Sequence, residues 1–123
     1  MHVAIVQLCV DPRLDHHLIR AQVSQKLATL SSAADHIILV NEIGGNFGPN
    51  FKNTLDLFLK QGAEVVLCGV LHHDDCVAAK QKVRQSLEEA TAGLRALLAD
   101  TGTDCTVCVG NIITNTNRVE WSS

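Results

Sequence analysis

Nowhere in this sequence do lysines and arginines gather, and its 10 basic residues are outnumbered by 13 acidic ones, for a net charge of −3. That absence excludes the cationic patch with which proteins grip nucleic acid or an anionic membrane surface. No apolar run is long enough to span a bilayer. The one at the start, "MHVAIVQLCV", is interrupted by Gln7, is halted by Asp11 and lacks the basic opening of a secretory signal, so we expect no membrane partner and a cytoplasmic protein. Repeats, low-complexity tracts and linkers are also missing, and 123 residues suffice for one hydrophobic core but not two, so 1–123 reads as a single domain. The five cysteines, an odd number behind no signal, make a poor disulfide framework. They favour free thiols or metal ligands.

What is present is a globular composition, 46% hydrophobic and 19% charged, in which strand and helix patterns take turns. "VAIVQLC" (3–9) reads as a buried strand, followed by helical spacing at Ile19, Val23, Leu27 and Leu30. "HIILV" (36–40) is a second strand, and Phe51, Leu55, Phe58 and Leu59 mark a second helix. "EVVLCGV" (64–70) is a third strand, and Val83, Leu87, Ala90, Leu94 and Leu97 fall on one face of a long helix that carries Gly93. "CTVCVGNIIT" (105–114) and, after the turn "NTN", "RVEW" (118–121) complete the pattern. This order predicts an α/β fold: a mostly parallel sheet, ordered 2-1-3-4 with a short antiparallel fifth strand, flanked by helices on both faces.

In such sheets ligands collect outside the carboxyl ends of the strands, where the winding reverses. Cys9, Asp11 and Arg13 follow the first strand, and "HHDDC" (72–76) follows the third. If those strands are neighbours, both clusters face one crevice. His73 and Cys76 are three apart at a helix start, and Cys9 adds a third donor. Two thiolates and an imidazole suit zinc, and three protein ligands leave a fourth position for water. Asp11 could take that position or accept a hydrogen bond from the water, and Arg13, as a two-pronged partner, decides between the two. Simpler readings stand beside these: Cys9 as a small core residue, Asp11 and Arg13 as a structural ion pair or a helix start, and His72 in place of His73.

At these residues the chain resembles the β-class carbonic anhydrases. The shared pattern is Cys-x-Asp-x-Arg, here Cys9, Asp11 and Arg13, then a glycine-containing loop, here Gly44 and Gly45, then His-x-x-Cys, here His73 and Cys76. The tail "CVGNIITNTNRVEW" is similar to that family's last strand and hairpin, so the resemblance covers nearly the whole chain. It implies Cys9, His73 and Cys76 as zinc ligands and Asp11 with Arg13 as the catalytic pair. It also implies reversible hydration of carbon dioxide to bicarbonate by a zinc-bound hydroxide, in a homodimer or higher even-numbered assembly. Carbonyl sulfide or carbon disulfide hydrolysis is an alternative substrate choice, and a catalytically silent zinc protein with an assembly or regulatory role is an alternative of another class. The sequence departs from the pattern at Val77, where a glycine is usual, and at Asn41, Glu42 and Ile43, where Arg-Asn-Ala is frequent.

The remaining motifs have plainer readings. Ile43, Phe47 and Val70 are expected to wall the carbon dioxide pocket. His16 and His17 are expected on an exposed helix surface, within reach of a proton-shuttle role at the crevice mouth. Cys105 and Cys108, three apart in a strand, point to opposite faces and read as core residues rather than as a second metal site. "GGNFG" is not a dinucleotide fingerprint and reads as a loop beside the crevice.

Overall fold

A computed structural model describes residues 1–122. Five strands form one sheet in the order β2-β1-β3-β4-β5. They are β1 (His2–Cys9), β2 (His36–Glu42), β3 (Glu64–His73), β4 (Thr106–Ile113) and β5 (Arg118–Trp121). The first four run parallel, and β5 returns antiparallel against β4. The connecting helices are α1 (His16–Thr29), α2 (Pro49–Lys60), a single turn α3 (Val77–Lys80) and α4 (Leu87–Thr101). No helix among the described residues is long and apolar enough to cross a membrane.

Central strands covered on both faces cannot alternate polar and apolar residues, which is why β1 and β3 read as near-continuous apolar runs. Val3, Ala4, Ile5, Val6 and Leu8 all lie at 0% exposure. The sheet divides the core in two. Ala4, Val6, Leu8 and Leu71 meet Ile19, Val23 and Leu27 of α1 on one face, while Val3, Ile5, Cys68 and Val70 meet Phe51, Leu55 and Leu94 of α2 and α4 on the other.

Helix starts follow local chemistry. Asp15 caps α1, its side chain accepting from the backbone N–H of His17 and Leu18, so Asp11 is free of that duty. Pro49 opens α2, and Ser86 with Glu89 forms a reciprocal capping box at α4.

Three expectations need correction. The third strand runs on to His73, so the polar pair His72 and His73 belongs to the ladder, paired with Asn111 and Ile112 of β4. The long helix is interrupted: Lys82 takes a left-handed φ of 59°, the chain turns, and the capping box restarts it at Leu87. Val83 consequently lies in the turn, exposed, and Leu98 rather than Leu97 is buried. Leu30 lies just past the end of α1, at its C-cap, and is exposed. Gly93 has a packing reason, because a Cβ there would come within 2.9 Å of the Phe47 ring.

Candidate metal centre

Because β1 lies between β2 and β3, its carboxyl end is where the winding reverses. Cys9 ends β1 beside Glu42, His73 ends β3, and Cys76 caps the short α3 three residues later. All three are buried, and their sulfur and ring-nitrogen donors lie within 4.8 Å of one another. The two halves of the sequence motif therefore meet in one place, and His73 rather than its neighbour His72 joins the thiols.

Hydrogen bonding fixes how His73 presents itself. Its Nδ1 lies 3.0 Å from the Thr114 Oγ1, and that hydroxyl donates its single proton to the Asp74 carbonyl at 2.6 Å. The hydroxyl must therefore accept from His73, which places the ring proton on Nδ1 and leaves Nε2 a bare lone pair. Nε2 is buried and has no hydrogen-bond partner. Burial holds the His73 pKa below its ordinary value, opposed by the Asp11 charge, so the ring is neutral. A neutral imidazole offering an unpartnered nitrogen to two thiols is a donor set that fits zinc. Burial raises the Cys9 pKa, and the backbone N–H groups of Asp11 and Gly44 oppose that by stabilising its thiolate.

Asp11 and Arg13 lie together at the rim. Arg13 grips Asp11 with two prongs, Nη2 to Oδ2 at 2.7 Å and Nε to Oδ1 at 3.0 Å, and the Arg13 backbone N–H adds a third bond at 2.9 Å. These bonds hold the Asp11 carboxyl at about 2, so it is an anion at any neutral pH. Asp11 Oδ2 lies 4.0 Å from His73 Nε2, at the edge of the three-donor cluster.

Two participants went unseen in the sequence. Thr114 carries no spacing signal, since a lone threonine at a strand end is unremarkable until the fold brings it to His73. Asp75, in the stretch "HHDDC", takes a left-handed φ of 52° and receives Arg13 Nη1 at 2.8 Å, while Lys80 Nζ binds its other oxygen at 2.5 Å. Arg13 is thus clamped between two carboxylates.

The glycine loop borders this site. Gly44 and Gly45 both have positive φ, near 67° and 69°, and a Cβ on Gly45 would come within 3.4 Å of the Cys9 backbone nitrogen and 3.3 Å of the His72 ring. His72 stays on the far side of β3 from the donors, and burial followed by the nearby Arg84 charge lowers its pKa to about 4. Beside the cluster opens an apolar recess of about 250 Å³, lined by Cys9, Asp11, Ile43, Gly44, Cys76 and Val77 among others. Only Ile43 of the expected walls is there. Phe47 packs on the Phe51 ring at 5.3 Å, and Val70 points into the core beneath α2 and α4, because strand alternation turns it away from the crevice. Val77 stands where the recess opens and is more than half exposed. His16 and His17 lie at the start of α1, and neither lines the recess.

No protein-family profile matches the chain, and neither does any curated protein sequence. Its backbone does have relatives of known structure. It superposes on a carbonic anhydrase from Streptococcus mutans with a TM-score of 0.68 at 18% identity, covering 98% of this chain and 81% of that one. It superposes on tetrameric β-carbonic anhydrases from the filamentous ascomycete Sordaria macrospora with a TM-score of 0.59 at 11% identity, over 98% and 80% of the two chains. The chain has the β-carbonic anhydrase fold. Within that fold, the residues of the sequence resemblance occupy the crevice at the ends of β1 and β3, and the Cys9–His73–Cys76 group is a cluster able to hold a metal.

Proposed function

We propose that Cys9, His73 and Cys76 hold one zinc ion per chain and that the protein hydrates carbon dioxide to bicarbonate. The observation that carries this reading is the tautomer imposed by Thr114, which leaves His73 Nε2 unpartnered among two buried thiols. Zinc bound there would supply Lewis acidity, lowering the pKa of a coordinated water toward ~7. Arg13 keeps the Asp11 carboxylate ionised and fixed at the cluster's edge. Asp11 can then accept a hydrogen bond from the attacking water and turn its lone pair toward the recess. Because both oxygens of Asp11 are engaged by Arg13, the carboxylate is restrained from becoming a fourth metal ligand. The recess, apolar and small, fits a linear uncharged molecule with little to offer a hydrogen-bond donor.

Assembly belongs to the same proposal. Val10, Ile43, Val77 and Val83 are each more than half exposed, and all four line the recess. Apolar side chains clustered at the mouth of a site suit coverage by a second copy, so we expect a homodimer or a higher even-numbered assembly.

Val77 favours one competing reading. A branched side chain at the recess narrows the approach to the thiols, as a zinc-binding but catalytically silent protein would tolerate. Stopped-flow carbon dioxide hydration on protein of measured zinc content separates the two. Turnover that needs zinc supports the proposal. Full zinc occupancy without turnover on carbon dioxide, carbonyl sulfide or carbon disulfide leaves the silent reading.

A further inference from the structure

Two cysteines outside the metal cluster stand together on the sheet. Cys68, in the middle of β3, is fully buried on the face covered by α2 and α4. Thr106 pairs with Leu67 and Val107 with Cys68, so Cys105, in the connection just ahead of β4, stands diagonally across from Cys68 on that same face. The two thiols face each other closely enough to interact, and the Cys68 backbone N–H is also turned toward the Cys105 sulfur. Cys105 is half-buried, whereas Cys68 is sealed from solvent. Cys108, by contrast, lies in the core on the α1 side of the sheet and faces away from both.

We propose that Cys68 and Cys105 form a peroxide-sensitive dithiol in which the outer Cys105 reacts first and the buried Cys68 then closes a disulfide. Chemistry agrees with this outside-in order. The Cys68 thiol as donor lowers the Cys105 pKa, and the same contact together with burial raises that of Cys68. The thiolate forms on the group that solvent can reach. Its sulfur attacks one oxygen of hydrogen peroxide, breaking the O–O bond and giving Cys105 sulfenic acid and hydroxide. The Cys68 sulfur then attacks the Cys105 sulfur and displaces the sulfenic oxygen. That oxygen leaves with the Cys68 proton as one water, and the hydroxide from the first step takes up the proton that Cys105 released on ionising to make the other. Two thiols and one peroxide become one disulfide and two waters.

The backbone allows closure. In parallel strands about 4.8 Å apart with a rise of about 3.3 Å per residue, residues offset by two positions have Cα atoms roughly 8 Å apart, against about 4.4–6.8 Å in disulfides. Closing therefore needs the two Cα atoms to approach by roughly 1.5–2.5 Å, and Cys105 precedes the first ladder pair of β4, at Thr106, so the movement falls on the connection leading into that strand.

The test is peroxide treatment of the purified full chain at one equivalent, then alkylation, trypsin and mass spectrometry. Tryptic peptide 61–80 carries Cys76 as well as Cys68, and peptide 96–118 carries Cys108 as well as Cys105, so fragment ions must assign the bridge. The expected product joins Cys68 to Cys105 with loss of two hydrogens, and dithiothreitol reverses it. In Cys68→Ser, Cys105 should stop at a sulfenic acid that dimedone traps, and in Cys105→Ser, Cys68 should stay reduced. Cys105 remaining a thiol while other cysteines oxidise would overturn the proposal. So would Cys105 passing to sulfinic acid beside a reduced Cys68, or bridging to a second molecule. The bridge is read directly, so this outcome does not depend on zinc or on carbon dioxide turnover.

Discussion

At the scale of single residues the arrangement depends on who holds whom. His73 is oriented by Thr114, and Asp11 by Arg13, which Asp75 grips from the other side. Outer partners of this kind usually change metal affinity about 10–100-fold. Thr114→Val should therefore weaken zinc binding by that order in a competition with a chelator, with Thr114→Ser restoring it; unchanged affinity in Thr114→Val would show that the tautomer is set otherwise. Replacing Cys9, His73 or Cys76 by Ala should remove zinc, measured by elemental analysis, whereas Cys108→Ala should keep it. Zinc retained in Cys76→Ala and lost in Cys108→Ala would refute the ligand set. Much of this was legible beforehand, because cysteine and histidine at metal-binding spacing are rare enough to signal. The supporting residues were not. Threonine and aspartate are common in loops, and only the fold brings Thr114 to His73 or Asp75 to Arg13.

At the scale of elements, β5 falls on the expected residues 118–121, because a turn signal and a short alternating strand leave little choice. Apolar spacing predicts one helix where there are two for a physical reason: Val83 lies four residues before Leu87, so the spacing continues across a break made by the backbone at Lys82. The signal for the restart was present in the sequence as Ser86-Leu-Glu-Glu, a capping box. Ser86→Ala should cost about 1 kcal/mol, read as a lower urea midpoint with unchanged slope. A midpoint within error of the wild type would mean that packing alone fixes the start of α4. Apolar spacing alone also conceals the recess wall, since Val83 in its turn lines the site instead of the core.

At the scale of the whole molecule, the fold brings sequence-distant groups to the carboxyl ends of β1 and β3, which is the placement the element order anticipated. It also leaves Val10, Ile43, Val77 and Val83 around the opening. Light scattering at micromolar concentration should report a dimer or a larger even assembly, and a monomer would count against both the assembly and a pocket completed by a partner. The central claim is zinc-dependent hydration oriented by Asp11. Arg13 keeps the Asp11 carboxyl at about 2, far below neutral pH, so a rise of activity with pH would report ionisation of the water and not of Asp11. The most direct measurement is the stopped-flow hydration rate against pH for wild type and Asp11→Asn at equal, quantified zinc. The account predicts a wild-type rate that climbs with pH and a loss of about 10²-fold or more in the variant; full activity in Asp11→Asn, or zinc-loaded wild type inert at every pH, would contradict it.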